Sequence, residues 1–456
     1  MTPLLAPTPP APGAAALPPA APVPRRTASL IAVLVGIATA APIAAYLWVA
    51  LHRIGYPFEL DWMEGGSVEL AARVAAGHSL YSAPSLAFVG WTYTPLYYWV
   101  AAAVAKLTGI GFLPLRLVSF LASLVSMTAL GWIVTRETGD RIAGLAAAGL
   151  FAATFQISGA WFDIGRVDSL FLALTLLALA WGRSARSVRG GVGLGVLAFL
   201  AFFTKQTALL ALLPVLVYLV ITRRRVGIPA LIVLLALVAI STVVLNASTD
   251  GWYGYYVFNE LAGQPVAHQS WVGFWVDNVL HQLWPLVILI LGGGVALAWR
   301  AKALPAIGSP SVYYASAAAG LIGSAWVSRL HSGGYVNVLI PAYAGIALLA
   351  GLTYGGLVNG RYRRFASPLL GATLLLQLGL LVYPLDAQIP TAADRAAGTQ
   401  LTARLRALHG PVIVLRHPWY ATLAGKGSFA QEEAIADVLR SGAARGKRAM
   451  LASLHG

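Results

Sequence analysis

Long apolar runs separated by short basic linkers dominate the chain. About 20 apolar residues make a helix long enough to cross a bilayer. On that criterion the pattern predicts spans near 29–51, 114–135, 141–160, 168–182, 190–204, 206–222, 226–246, 279–298, 311–328, 335–357 and 366–384. A further apolar segment, 95–109, carries Tyr97, Tyr98 and Trp99 near its start and Lys106 near its end. Such aromatic rings suit the headgroup level and a lysine is costly at mid-bilayer. This segment is therefore expected to be interfacial or re-entrant rather than a crossing.

The linkers set the orientation. Arg25/Arg26, Arg136/Arg141, Arg183/Arg186/Arg189, Arg223/Arg224/Arg225, Arg300/Lys302 and Arg361/Arg363/Arg364 all fall in the cytoplasm under the positive-inside rule. That arrangement requires 11 spans, an inner N-terminus, an outer C-terminus and a long first outer loop, 52–113. The acidic residues before 390 agree: Glu137 and Asp140 fall inside, and Glu59, Asp61, Glu64, Glu69, Asp163, Asp168, Asp250, Glu260, Asp277 and Asp386 fall outside. Segments 168–182 and 190–204 give only about 22 Å of helix against a core of ~30 Å. Asp168 and Lys205 at their outer ends are thus expected to sit in a recess below headgroup level.

Residues 1–28, rich in Pro and Ala, are expected to form a disordered cytoplasmic tail. The run 29–51 exceeds the 7–15 residues typical of a signal-peptide core and reads as a retained signal anchor. Residues 29–389 then form one transmembrane unit. Beyond it the character changes. An amphipathic helix begins near Thr391, Pro411–Leu415 reads as a short strand, and a second helix follows with Ser428 as N-cap and Gln431 at N3. The expected fold is an all-α polytopic membrane protein with a small α/β extracytoplasmic segment at 390–456.

Composition supports this class. The chain is 58% hydrophobic and 10% charged, where a soluble domain carries about 25% charged residues. It has no cysteine, which excludes disulfides, thiol nucleophiles and Cys metal sites. The net charge of +15 is assigned to cytoplasmic loops and anionic lipid rather than to nucleic acid.

With charge so scarce, a carboxylate cluster beside a span calls for an explanation. Asp61-Trp62-Met63-Glu64 reads in two ways. It is a capping box opening a helix over about 62–76. It is also a general base, or a carboxylate pair able to take a divalent cation such as Mg²⁺ or Mn²⁺. Asp168, in Gly165-Arg166-Val167-Asp168-Ser169-Leu170, reads as an N-cap or a functional carboxylate. Lys205, in Phe203-Thr204-Lys205, reads as a snorkelling cation or a ligand-binding one. Arg329-Leu330-His331-Ser332-Gly333-Gly334 reads as a turn, or as backbone N–H groups that bind phosphate together with Arg329.

Taken in order, these motifs resemble the GT-C superfamily of membrane glycosyltransferases. An Asp in the first outer loop precedes Pro95-Leu96-Tyr97-Tyr98, then Leu115-Arg116-Leu117, R-V-D-S-L at 166–170 and F-T-K at 203–205, with Asn337-Val338-Leu339-Ile340-Pro341 later. The branch they resemble holds the protein O-mannosyltransferases and aminoarabinose transferases. The resemblance covers roughly 30–220, with a single proline at 95 and a separated Asp61/Glu64 pair as departures.

It implies a polyprenyl-phosphate-linked sugar donor, a cell-envelope glycan, lipid or protein as acceptor, and inversion at the anomeric carbon. It implies Asp61 as general base, with Glu64 the second choice, and Asp168 as an orienting carboxylate. Lys205, Arg329, Arg166 and His331 would meet the donor phosphate. Trp91, Tyr93 and His268 would meet substrate. The setting would be a bacterial inner membrane with the site on the periplasmic face. A lipid-linked-sugar flippase or transporter, or a non-catalytic scaffold of this fold, is the competing class.

Overall fold

The computed structural model describes residues 25–302, 304–358 and 363–454. The expected tail therefore lies outside the described residues except for 25–28, which are helical. The linker at 361–364 is only partly described.

The described residues are helical, with no named strand and a single isolated bridge between Val266 and His331. The helices in chain order are α1 (Arg25–Arg53), α2 (Glu64–Ala75), α3 (Leu96–Thr108), α4 (Phe112–Thr138), α5 (Arg141–Ala153), α6 (Asp168–Ser184), α7 (Val188–Thr204), α8 (Ala208–Thr222) and α9 (Arg224–Ser248). Two short pieces follow, α10 (Trp252–Gly254) and α11 (Ser270–Gly273). Next come α12 (His281–Ala301), α13 (Pro310–Arg329), α14 (Ile340–Val358) and α15 (Arg363–Leu380). The last helices are α16 (Ala392–Ala407), α17 (Trp419–Leu423), α18 (Glu432–Arg440) and α19 (Ala444–Ala452).

Among the described residues, five stretches are long and apolar enough to cross a membrane: Leu30–Arg53, Phe112–Thr138, Arg224–Ser248, Ser270–Ala301 and Val336–Val358. Shorter apolar helices, including α5, α7 and α8, pack among them. The chain is thus a multi-pass membrane protein. Packing within the bundle is close because small residues let backbones approach. A Cβ at Gly149 would stand 2.0 Å from the Thr39 carbonyl oxygen, and one at Gly320 would stand 2.0 Å from that of Ala211. Helix α5 stops at Ala153, short of the expected 160, where a 3₁₀ turn and left-handed Gly159 and Ala160 redirect the chain.

Charge is sorted to the two ends of the bundle. Helix α4 has Arg116 in its first turns and Arg136 in its last, and α6 runs from Asp168 to Arg183. At one end Arg183 pairs with Glu137 at 2.8 Å, and Arg223 donates to the carbonyls of Gly182, Arg183 and Ala185. At the other end lie the pairs Arg53–Asp163, Arg116–Glu64 and Lys205–Asp168. This is the two-faced distribution that the linkers and carboxylates predict.

On the carboxylate end sits a second apolar core. It joins α2, α3, the loop residues Leu80, Tyr81, Val89 and Trp91, the aromatics 252–257, and Trp419, Val438 and Met450 from the C-terminal segment. Helix α3 is part of this cap. At 13 residues it is about 20 Å long, too short to cross.

The C-terminal expectations need two corrections. Residues 411–415 form no strand, because no neighbouring strand supplies ladder partners. The second helix begins at Glu432, with Gln431 rather than Ser428 as its N-cap; the Gln431 side chain accepts from the amides of Glu433 and Ala434.

The first loop is fixed by a buried ion pair. Arg116 Nε and Nη2 donate to the two Glu64 carboxylate oxygens at 2.8 and 2.6 Å, and both residues are fully buried. Arg116 also donates to the carbonyls of Tyr56 at 2.6 Å and Phe58 at 2.7 Å. Glu64 accepts further from the amides of Leu60 at 3.0 Å and Gly165 at 2.8 Å. The expected capping box is therefore replaced. Helix α2 has no side-chain N-cap, and Glu64 reaches across to α4 instead. Breaking such a pair strands a buried charge, so Arg116→Met is expected to destabilise the protein by about 3–5 kcal/mol. The double variant Glu64→Met/Arg116→Met should lose less than the sum of the singles. Thermal unfolding of detergent-purified protein measures both.

Candidate functional site

A cavity of about 210 Å³ lies between the bundle and the cap. Met63, Trp91, Tyr93, Arg166, Lys205, Gln206, Glu260, Gln264, His331, Asn337, Glu433 and Asp437 are among its lining residues. Five of the residues singled out in the sequence meet here: Trp91, Tyr93, Arg166, Lys205 and His331.

One wall is cationic. Lys205, at the C-terminal end of α7, is 5% exposed and donates to Asp168 at 2.6 Å. Asp168 does not cap α6; its other oxygen accepts from Asn337 Nδ2 at 3.0 Å. The carboxylate thus locks together the start of α6, the end of α7 and the turn before α14. Both Asp168 and Lys205 are buried within the protein.

Arg166 is 3% exposed. Its guanidinium lies 5.0 Å from the Trp91 ring centroid, 5.4 Å from that of Tyr93 and 5.2 Å from that of Trp161. One nitrogen donates to the Tyr93 hydroxyl at 3.0 Å, while Nε and Nη1 are buried without a hydrogen-bond partner. Trp91 and Tyr93, expected to meet substrate, each carry this guanidinium against a face. Helix α2 accommodates the Trp91 ring because position 66 is glycine; a Cβ there would come within 2.4 Å of it.

The carboxylates of the first loop separate in role. Glu64 uses both oxygens in the ion pair described above. Asp61 accepts from the Met63 amide at 3.0 Å, and Met63 lines the cavity. Burial pushes the Asp61 carboxyl up to about 6, against the lowering effects of the Met63 amide and of the Arg166 charge. Asp61 and Glu64 do not themselves line the cavity. Among the described residues no group of three or more His, Asp or Glu side chains is placed to hold a metal ion. With the Glu64 oxygens committed to Arg116, Leu60 and Gly165, the Asp61/Glu64 pair does not fit a two-carboxylate cation site.

His331 lines the cavity with its Nδ1 unpartnered, and burial lowers its pKa, which favours the neutral ring. Arg329 is drawn off: it donates to the Gly334 carbonyl and closes the 330–334 turn. His268 is exposed and stands apart from the cavity lining.

Several lining residues escaped the sequence reading. Glu260 ends the π-helix Tyr255–Glu260, Gln264 comes from the loop that follows it, and Glu433 and Asp437 come from α18. The sequence carried a signal for Glu260, a rare acid inside the aromatic run Tyr253–Phe258 and beyond. The cap is held by further pairs. Glu59 meets His417 of the C-terminal segment, and the Ala430 amide donates to the Leu86 carbonyl at 2.8 Å.

Glu69 of α2 faces Ser428, and burial pushes its carboxyl up from 4.5 to about 8. Folding therefore favours its protonated form. The stabilisation is complete below about pH 4.5 and is lost as pH rises through about 8. The melting temperature should fall across that rise, and Glu69→Gln should flatten the dependence. Melting curves of both proteins at a series of pH values test this.

Comparison with known proteins places the fold. Residues 92–245 match the family model described as dolichyl-phosphate-mannose-protein mannosyltransferase. A search of curated proteins finds no match. The solved structure of ArnT from Cupriavidus metallidurans bound to undecaprenyl phosphate is similar at a TM-score of 0.59 and 14% identity, covering 90% of this chain and 88% of that one. The same enzyme in the apo state gives a TM-score of 0.56 and 15% identity, covering 86% and 84%. These findings support the resemblance to GT-C membrane glycosyltransferases that the ordered motifs indicated.

Proposed function

We propose that the chain transfers a monosaccharide from a polyprenyl-phosphate-linked donor to a hydroxyl acceptor at the outer face of a bacterial inner membrane. The observation that carries this reading is Arg166: a buried guanidinium on the cavity wall with two unpartnered nitrogens, beside Lys205. A buried donor without an acceptor is costly, and a phosphate supplies the oxygens it lacks. The family match over 92–245, which includes both residues, points the same way, as does a similar structure that binds undecaprenyl phosphate.

The chemistry follows as one displacement. The acceptor oxygen attacks the anomeric carbon while the bond from that carbon to the phosphate oxygen breaks, and the configuration inverts. The electron pair leaves with the lipid phosphate, whose charge Arg166 and Lys205 stabilise. His331 can donate a hydrogen bond to the same group. The proton of the acceptor hydroxyl passes to Asp61, which lies behind the cavity lining at Met63 and is reached through one water. Glu64 is the weaker candidate because its oxygens are held by Arg116 and two amides. Asp168 acts through Lys205 and Asn337, fixing the ammonium rather than touching substrate.

Incubation of nanodisc protein with polyprenyl-phosphate sugars and cell-envelope acceptors, read as sugar transferred and polyprenyl phosphate released, tests the reading. Asp61→Asn is expected to lower kcat by about 10²–10⁴. Transfer without any such loss removes Asp61 as base. Because the Asp61 carboxyl titrates at about 6, the rate should fall as pH drops through that value. This limb should be absent from the residual activity of Asp61→Asn. Absence of product with every donor and acceptor, alongside movement of lipid-linked sugar across sided liposomes, would favour the flippase class instead.

A further inference from the structure

The cavity has a second wall of opposite hydrogen-bonding character. It is built by the end of the π-helix Tyr255–Glu260, the loop that follows it and α18 of the C-terminal segment. Glu260, 1% exposed, closes a wide π-type turn at Tyr255–Glu260 and has its Oε2 unpartnered. Gln264, 8% exposed, donates its Nε2 to the Asp437 carbonyl at 2.9 Å, which leaves Oε1 unpartnered. Gln206 repeats the arrangement: its Nε2 donates to the carbonyls of Thr92 at 2.5 Å and Val257 at 3.2 Å, and its Oε1 is unpartnered. Each amide nitrogen is committed to a carbonyl, so neither amide can turn to present its N–H₂ instead. Three lining side chains thus carry unpartnered oxygens: Glu260 and Gln264 on this wall, and Gln206 between α7 and α8, next to Lys205.

We infer that these oxygens form a subsite for a sugar ring rich in hydroxyl groups, held through Glu260 and Gln264, with Gln206 joining it to the phosphate-binding wall of Arg166 and Lys205. The inference rests on the glycosyltransferase reading for its place in a reaction, but not for its binding chemistry. A neutral polyol fits better than a cationic amine. Glu433 and Asp437, the other acids on this wall, are both taken up by Arg440. Burial also pushes the Glu260 carboxyl up to about 9, so it is protonated at neutral pH and both donates and accepts. The wall is set from two sides. The Ser441 hydroxyl donates to the Glu260 carbonyl at 3.1 Å, and the Gly442 amide donates to the Gly263 carbonyl at 2.9 Å. The ring could be the acceptor's sugar or the sugar on the donor; both have the same hydrogen-bonding groups.

The test uses the full chain in nanodiscs with methyl glycosides of mannose, glucose, galactose and arabinose as probes. Binding is read by saturation-transfer NMR, and melting curves confirm that each variant is folded. At least one glycoside should bind wild type. Glu260→Met and Gln264→Met should each weaken that binding about three- to tenfold, in line with one lost hydrogen bond, while Glu260→Gln should largely restore it. Polyprenyl phosphate and polyprenyl-phosphate mannose are then compared. If both variants lose the preference for the mannosylated lipid, the ring is the donor's. If they keep it and lose only the free glycosides, the ring is the acceptor's. Folded variants that bind glycosides and both lipids as wild type does overturn the subsite, as does a wild type that binds no glycoside and does not distinguish the two lipids. Since turnover is not read, failure here is separate from failure to detect transfer.

Discussion

The arrangement depends on one buried charge pair. Arg116 on α4 holds Glu64 with two hydrogen bonds and the carbonyls of Tyr56 and Phe58 with two more. Glu64 in turn holds the Gly165 amide, one residue before Arg166. A single ion pair thus ties the exit from α1, the start of α2, the body of α4 and the loop that carries the cavity arginine. Such a pair gains little net stability over an apolar substitute, but removing one partner is severe. Its value is positional: Asp61, three residues before Glu64, and Arg166 are referred to the same anchor.

From that anchor the cavity divides into two chemistries. One side offers N–H groups in need of acceptors, on Arg166, with Lys205 pinned by Asp168. The other offers oxygens in need of donors, on Glu260 and Gln264, with Gln206 between the two. An ionic headgroup and a hydroxylated ring are complementary to the two sides in turn. The origins also differ. Arg166, Lys205 and Gln206 come from the bundle, while Glu260 and Gln264 are braced by the C-terminal segment.

Much of this was legible from residue patterns. The basic linkers and scattered carboxylates sort to opposite ends of α4 and α6, and Asp168 and Lys205 lie together at the carboxylate end. What was hidden is long-range pairing. The D-W-M-E spacing fits a capping box equally well whether or not Arg116, 52 residues away, claims the glutamate. Asp168 fits an N-cap until Lys205 and Asn337 reach it from 37 and 169 residues along the chain. The run Pro411–Leu415 has strand composition, but strand formation depends on a partner that local sequence cannot reveal. Glu260 and Gln264 belong to no local motif; they matter because a distant helix closes over them.

That closing helix has a consequence for biosynthesis. Residues 419–450 leave the ribosome after every helix of the bundle has been made, and Glu433, Ala434 and Asp437 are among them. The partly synthesised chain already holds the cationic half of the cavity, open on the side where α18 will dock. The cavity gains its lining from Glu433, Ala434 and Asp437 only once α18 has been made. A chain clipped before α18 would keep its membrane helices and its phosphate-type wall while lacking the part of the facing wall that Glu433, Ala434 and Asp437 supply.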